Sequence, residues 1–313
     1  MSYNINEVSD SVASEIEKVK KRIKDHSQAK FQEVQIIIDA ILKLNGKMLR
    51  PQFLIVSANF GTYESDRMVN LASAIELLHM ATLVHDDIVD DAEIRRNQQS
   101  VQSKFGKDMA VYTGDYLLSK SLSVFKAKDY DNEKIAKLAK VIERICESEL
   151  LQYFNRYHTM TVRNYLRVIS GKTAALFSLS MYLGAVESGC SETLANSLGK
   201  IGYEIGIAFQ IIDDILDFST DAETVGKTVQ HDVKNGYYTL PVIYAFEGQR
   251  VTFSQLSPLA IGMQIEQHDG IEKSRILARK YTDKAFQRID RLPDVPYKSL
   301  LRNMAEKMLV RVY

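Results

Sequence analysis

IELLHMATLVHDDIVDDAEIRR, Ile75 to Arg96, is an apolar run that ends in four aspartates and is followed by two arginines. In a helix, Asp86 and Asp90 stand one turn apart on one face, and Asp87 and Asp91 repeat that spacing on the neighbouring face. Two unit charges about 6 Å apart repel by roughly 3 kcal/mol at an effective dielectric near ~20, so this crowd of carboxylates calls for a cation. Oxygen ligands with no cysteine nearby suit a hard ion such as magnesium, which keeps waters and is shared between carboxylates and substrate phosphates. Alone, the cluster reads equally as a solvated acidic helix end. A second copy shifts the balance: Asp213, Asp214 and Asp217 in FQIIDDILDF also follow an apolar run. The expectation is two oily helices whose acidic tips face each other across a cavity.

Composition supports a body large enough to hold such helices. The chain has 313 residues, 45% of them hydrophobic and 26% charged, ample for a buried core. Its 5 prolines leave Gln52 to Leu240 free of proline, so helices there are uninterrupted by it. These features predict an all-α, single-domain bundle over residues 1–313, with about ten or more helices around a central cavity. Formal net charge is zero, and with neither a basic face nor a recognised motif no nucleic-acid partner is expected. Cys146 and Cys190 stand outside any paired spacing, which argues against disulfides or a zinc site and for a reducing compartment, the cytoplasm. The polar, acidic start MSYNINEVSD lacks the pattern of a signal peptide. No uninterrupted apolar run reaches ~18 residues, so no membrane span is expected.

Periodicity divides the chain into helices. Val8, Val12, Ile16, Val19 and Ile23 recur at helical spacing and predict an amphipathic opening helix. Phe31 to Leu44 forms a second, ended by Asn45-Gly46, and Pro51 suits the first turn of the next. Further helices are expected over Asp66–Asp90, Asp108–Ala127, Asn132–Arg156, Thr161–Glu187, Ser191–Phe218, from Leu240-Pro241 onward, Ile271–Leu292 and Lys298–Val312, with a polar loop over Asn97–Lys107.

Cations accompany the carboxylates: Lys47, Arg50, Arg95, Arg96, Lys172 and Lys227. Arginine forks match phosphate oxygens in pairs, and lysine supplies a point charge. Gly171-Lys172-Thr173 and Gly226-Lys227-Thr228 look like the tail of a P-loop, but Leu166 and Asp221 stand where its first glycine belongs and no strand precedes either. They remain candidate phosphate contacts without a nucleotide reading. His79 and His85 lie near the first acidic cluster and read equally as satisfied core residues. No nucleophile elbow is visible.

Taken together, these stretches resemble the trans-isoprenyl diphosphate synthases, all-α enzymes of the isoprenoid synthase fold that condense isopentenyl diphosphate with an allylic diphosphate. The resemblance runs from about Gly46 to Pro241 through GKMLRP, HMATLVHDDIVDDAEIRR, GDYLL, GKTAALF, GIAFQIIDDILD and GKTVQHDVKNGYYTLP, and is most like the medium- and long-chain members. It implies that Asp86, Asp87 and Asp90 hold Mg2+ ions bridging the allylic diphosphate, with Asp213 and Asp214 holding a further ion. Arg95, Lys172, Thr173, Gln210 and Lys227 would contact the allylic diphosphate. Lys47, Arg50, His79 and Arg96 would grip isopentenyl diphosphate. A homodimer is implied, and a heteromer with a small regulatory partner stays open. Three positions depart from the pattern: Asn97 replaces a usual glycine, and Gln230 and Tyr237 replace a glycine and a lysine, which removes one possible diphosphate contact.

A growing prenyl chain must be buried at about 0.8 kcal/mol per CH2, which demands a hydrophobic tunnel with a floor. The resemblance places that floor at Ala81 and Thr82, with Leu78, Ala74 and Ile75 deeper. Small side chains there imply a product of roughly six to ten isoprene units, such as a quinone side chain, with geranylgeranyl or farnesyl diphosphate as the shorter alternative. More distant alternatives are a terpene cyclase, which needs no second diphosphate grip, and a metal phosphohydrolase built on His85-Asp86, which leaves the second cluster unused.

Overall fold

The computed structural model describes residues 5–44, 46–126, 132–219, 236–249, 251, 253 and 256–309. Contacts divide the chain into two compact units: Met1–Lys137 with Ser180–Asn196 and Val295–Leu300, and Leu138–Leu179 with Ser197–Asp294 and Leu301–Tyr313.

In the first unit, α1 (Ile5–His26) buries Val12, Ile16, Val19 and Ile23, the stripe expected from the spacing. Helices α2 (Gln32–Lys43) and α3 (Leu49–Ala58) lead to α4 (Ser65–Val89). Every residue of α4 from Met68 to Leu78 is buried, because α1, α3 and the later helix Lys107–Lys126 pack around it. By length and composition α4 could cross a membrane, but 72% of its apolar window is buried inside the protein, as in a core helix. Polar anchors fix its N-terminal half: Arg22 Nη2 reaches Asp66 (2.8 Å), Arg67 Nε reaches Glu187 (2.8 Å), and Ser121 Oγ donates to the Ala74 carbonyl (2.8 Å).

The expected loop after α4 is instead structured. Ile94–Arg95 (β1) pairs antiparallel with Gln98–Gln99 (β2), and a short helix, α5 (Val101–Phe105), follows. Arg96 and Asn97 form its two-residue turn with positive φ, 51° and 62°, the pattern of a type I′ hairpin. Asparagine tolerates that conformation well, which accounts for Asn97 where glycine is usual. Helix α6 (Lys107–Lys126) then packs along α4.

The remaining helices lie in the second unit or are divided between the two: α7 (Asn132–Phe154), which starts in the first, precedes α8 (Val162–Ile169), which Thr161 caps by accepting from the Asn164 N–H (3.2 Å). One helix over Thr161–Glu187 was expected, but Ser170–Ala174 winds as a π turn before α9 (Ala175–Glu187). Helix α10 (Glu192–Ser219) matches the expected span. Helix α11 (Leu240–Ala245) packs on α12 (Pro258–Gln267) and α13 (Gly270–Asp290), with Tyr238, Val242, Phe246, Phe253, Ile261 and Ile265 in one apolar cluster. Sequence periodicity did not resolve α12, although its start is legible: Ser257 caps it through the Ala260 N–H (3.2 Å) and Pro258 opens it. Helix α14 (Pro296–Leu309) is the last among the described residues.

Candidate active site

The first acidic end is shaped by how α4 stops. Asp91 takes a left-handed φ of 51°, the Ala92 N–H bonds the Asp87 carbonyl (2.9 Å) and the Asp91 N–H bonds that of Ile88 (3.4 Å). This is a Schellman closure with aspartate at the position glycine usually takes. Gln102 Nε2 donates to the Asp87 and Ala92 carbonyls (2.7 and 2.9 Å) and ties α5 to the same end. The four carboxylates then separate by face. Asp86 and Asp90 are half-buried one turn apart, whereas Asp91 is exposed and paired with Lys107. Asp87 is 2% exposed and accepts from Arg95 Nε at 2.6 Å. Burial pushes its carboxyl above the ordinary range despite the pull of Arg95.

Among the described residues no three acidic, histidine or cysteine side chains form a ready-made metal cage. An oxygen pair such as Asp86 and Asp90 nevertheless fits magnesium, which binds through one or two carboxylates and completes its shell with water and phosphate.

The hairpin sends its two arginines apart. Arg95 turns to Asp87, while Arg96 donates to the Leu44 carbonyl beside Gly46. There Arg96 joins Arg50 and His79: Arg50 Nη1 and His79 Nε2 are 2.9 Å apart, and both groups feel the charge of Arg96. Burial first, and the arginines after it, hold His79 well below its ordinary value, so the ring is neutral at physiological pH and accepts from Arg50. Burial lowers Arg50 to about 10, which leaves it charged there as well. Lys47 is exposed next to Gly46. Three of the four expected grips on isopentenyl diphosphate are thus brought together, with the fourth adjacent in the chain.

Sequence reasoning missed Glu76. It is 6% exposed, its Oε2 has no hydrogen-bond partner, and it feels the charges of Arg50 and Arg96, although burial raises its carboxyl more than they lower it. The signal was present: a lone acid one turn before His79 in an otherwise apolar run. Glu76 also lines a cavity of about 230 Å3 together with Asp87, Arg95, Arg96 and apolar side chains of α1, α2 and α4, among them Ile23, Ile41, Met80 and Val84. Of the expected floor, Leu78 and Ala81 are buried, and Thr82 is half-buried with its hydroxyl on the His79 carbonyl (2.8 Å).

The second unit carries the second acidic end, and there too the carboxylates divide. Asp213 and Asp217 are exposed near the end of α10. Asp214 is buried, with Oδ2 accepting from the Tyr165 hydroxyl (2.6 Å) and Oδ1 from Gln210 Nε2 (2.9 Å). Gln210 Oε1 in turn accepts from the Thr173 hydroxyl (2.7 Å). Thr173 and Lys172 lie on the π turn, a device that often marks functional sites. Gly171 permits it, because a Cβ there would come 2.5 Å from both the Arg144 carbonyl and the Ser148 side chain. Lys172 Nζ is held by Glu149 (3.1 Å) and Gln152 (3.4 Å) of α7. Lys227 and Gln230 lie outside the described residues.

Burial raises Asp214 to about 7, against the opposing pull of Tyr165 and Gln210. A folded value above the ordinary 3.8 means that the stability this group contributes is complete below about pH 4 and is lost as pH rises through 7. Three units correspond to at most about 4 kcal/mol. Asp214→Asn in metal-free protein is therefore expected to gain stability relative to wild type between pH 5 and pH 8. Denaturant unfolding at the two pH values checks it, and a difference that does not change with pH contradicts it.

A sequence profile of the Polyprenyl synthetase family matches residues 31–273. Heptaprenyl diphosphate synthase component 2 of Geobacillus stearothermophilus is 39% identical over 276 residues, 85% of this chain and 86% of that protein. The crystal structure of heptaprenyl diphosphate synthase from Staphylococcus aureus superposes with a TM-score of 0.89 at 33% identity, covering 100% of both chains. A polyprenyl synthase from Caulobacter crescentus, solved with calcium and isoprenyl diphosphate, superposes at 0.85 with 25% identity over 100% of this chain and 99% of that one. Profile, identity and fold agree with the acidic ends and their attendant cations: this chain belongs to the polyprenyl synthetase family.

Proposed function

We propose that the chain is a magnesium-dependent trans-prenyltransferase that adds isopentenyl diphosphate head-to-tail to an allylic diphosphate. The observation that carries this reading is the parting of Arg95 and Arg96. One lies among carboxylates suited to a metal, and its neighbour lies in a cluster with Arg50 and His79. Two anion grips of different character suit two diphosphates, whereas a cyclase needs only one.

In this reading Asp86 and Asp90 would hold metal at the end of α4 and Asp213 at the end of α10, while Asp87 and Asp214 serve as buried anchors for Arg95 and for the Gln210–Thr173 pair. Magnesium, when bound, supplies positive charge to the departing diphosphate. Lys172, Arg95 and Lys227 add to it in a site shielded from water. Arg50, His79, Arg96 and Lys47 orient isopentenyl diphosphate so that its double bond meets the allylic carbocation. The proton then lost goes to the released diphosphate, for which no protein base is required. The two compact units act as one synthase domain in the cytoplasm, where Cys146 and Cys190 stay reduced.

The small residues Ala81 and Thr82 support a product of roughly six to ten isoprene units, with the growing chain buried in an apolar tunnel. The similarity to a heptaprenyl synthase component supports the same range and favours a second reading on assembly: catalysis with a small partner polypeptide rather than as a homodimer alone. Purified chain incubated with isopentenyl diphosphate, farnesyl diphosphate and Mg2+ tests both. Dephosphorylated products of six to ten units are expected. Geranylgeranyl product alone would overturn the length, and condensation only after adding a second polypeptide would establish the heteromer.

A further inference from the structure

Next to Lys172 in sequence, Thr173 ends a chain of hydrogen bonds that starts at Tyr165. Tyr165 is buried on α8, and its hydroxyl donates to Asp214 Oδ2 (2.6 Å). Asp214 Oδ1 accepts from Gln210 Nε2 (2.9 Å), and Gln210 Oε1 accepts from the Thr173 hydroxyl (2.7 Å). Because both Asp214 oxygens accept, the Gln210 amide has one orientation, with nitrogen toward Asp214 and oxygen toward Thr173. The Tyr165 hydrogen is what satisfies Oδ2. Without it a buried carboxylate oxygen is left without that donor, and the orientation of Gln210 is no longer enforced.

The chain clasps one face of α10. Gly206, Gln210 and Asp214 recur at every fourth residue, so they follow that face over about 12 Å. Ala174 rests on Gly206, where a Cβ would come 2.6 Å from the Ala174 Cα. Thr173 bonds Gln210, and Tyr165 bonds Asp214. α8 and the π turn Ser170–Ala174 are therefore tied to α10 at three points, and Lys172 sits on the tied turn. Register matters there: a slip of one residue would swing Lys172 by about 100° around the helix axis. Glu149 and Gln152 meet the tip of Lys172, whereas the clasp fixes its backbone.

We propose that Tyr165 is a positioning residue for the allylic diphosphate: through Asp214 and Gln210 it holds the π turn in the register that presents Lys172 to that ligand. This rests on the prenyltransferase reading for the identity of the ligand. The test is therefore direct binding, which needs no turnover: calorimetric titration of wild type, Tyr165→Phe, Lys172→Ala and the double variant with farnesyl diphosphate in Mg2+, with unfolding midpoints measured alongside. Tyr165→Phe is expected to weaken binding about tenfold, equivalent to roughly 1.4 kcal/mol, while affinity for isopentenyl diphosphate stays unchanged. In the Lys172→Ala background the same change should cost less than about twofold, because Tyr165 acts through Lys172. A role in packing alone would give equal factors in both backgrounds. Should Tyr165→Phe fail to fold, the other end of the chain carries the test: Thr173→Val, which breaks the bond to Gln210, should bind farnesyl diphosphate about tenfold more weakly than Thr173→Ser, which keeps it. Wild-type affinity in folded Tyr165→Phe, a full tenfold loss in the Lys172→Ala background, or equal affinity of the two Thr173 variants overturns the proposal. Wild type that binds farnesyl diphosphate with the expected pattern but does not condense it would overturn the proposed reaction alone, and wild type that does not bind it would overturn both.

Discussion

Asp86→Ala and Asp90→Ala are each expected to lower kcat by about 10^3 or more, a transition-state loss of roughly 4 kcal/mol, while leaving the protein as stable as before or slightly more so. The two halves of this expectation have one origin. Asp86, Asp90 and Asp91 stand at the C-terminal end of α4, where the helix macrodipole is itself negative and each added carboxylate is unfavourable. They also repel one another. A chain that places acids against its own local electrostatics sacrifices stability for a site, and removing one should return some of it. Asp87 should behave differently: its carboxylate is buried against a half-buried Arg95, so Asp87→Ala leaves that arginine without its partner and is expected to lower the unfolding midpoint as well as the rate. The same contrast is expected between exposed Asp213 and buried Asp214. Steady-state rates and thermal unfolding of the five alanine variants decide it. A loss of stability in Asp86→Ala as large as in Asp87→Ala would remove the distinction between metal-holding and anchoring aspartates.

On the proposed chain-length reading, Ala81→Phe is expected to shorten the product from roughly six to ten units to roughly three or four, because a ring would take up room for the growing chain that a methyl leaves. Ala81 is 2% exposed and belongs to the α4 stripe Ala74, Leu78, Ala81 and His85. That stripe meets α6 at both ends: Ser121 donates to the Ala74 carbonyl, and His85 abuts Gly114. The added ring must therefore enter space along this seam, at an overpacking cost of about 1–3 kcal/mol. Chromatography of dephosphorylated products reads the outcome. An unchanged length distribution would put the floor elsewhere on the chain, and a folded but inactive variant would show that the seam serves packing alone.

The helices that carry the site were legible because each combines a long apolar run with an acidic end, a pattern with no dependence on partners. Which neighbouring acid turns inward was not legible. Asp86 and Asp87 are adjacent in sequence, and only the hairpin beyond them, turning at Arg96 and Asn97, sends Arg95 back to one and not the other. The type I′ turn itself was hidden because an arginine occupies one of its positive-φ positions. The π turn under Lys172 follows from close approach of α7 at Gly171, a tertiary contact with no local periodic signature. Tyr165 and Glu76 escaped notice for a shared reason: each is a single polar group whose role comes from what it faces, Asp214 in one case and two arginines in the other.

On the proposed reading, carboxylates at the ends of α4 and α10 would hold divalent ions that stabilise the departing diphosphate. Turnover of isopentenyl and farnesyl diphosphates by chelator-treated protein, before and after magnesium is returned, tests it most directly. Condensation should be undetectable after chelation and should return with added Mg2+ in wild type but not in Asp86→Ala. Undiminished turnover in the presence of excess chelator would contradict it.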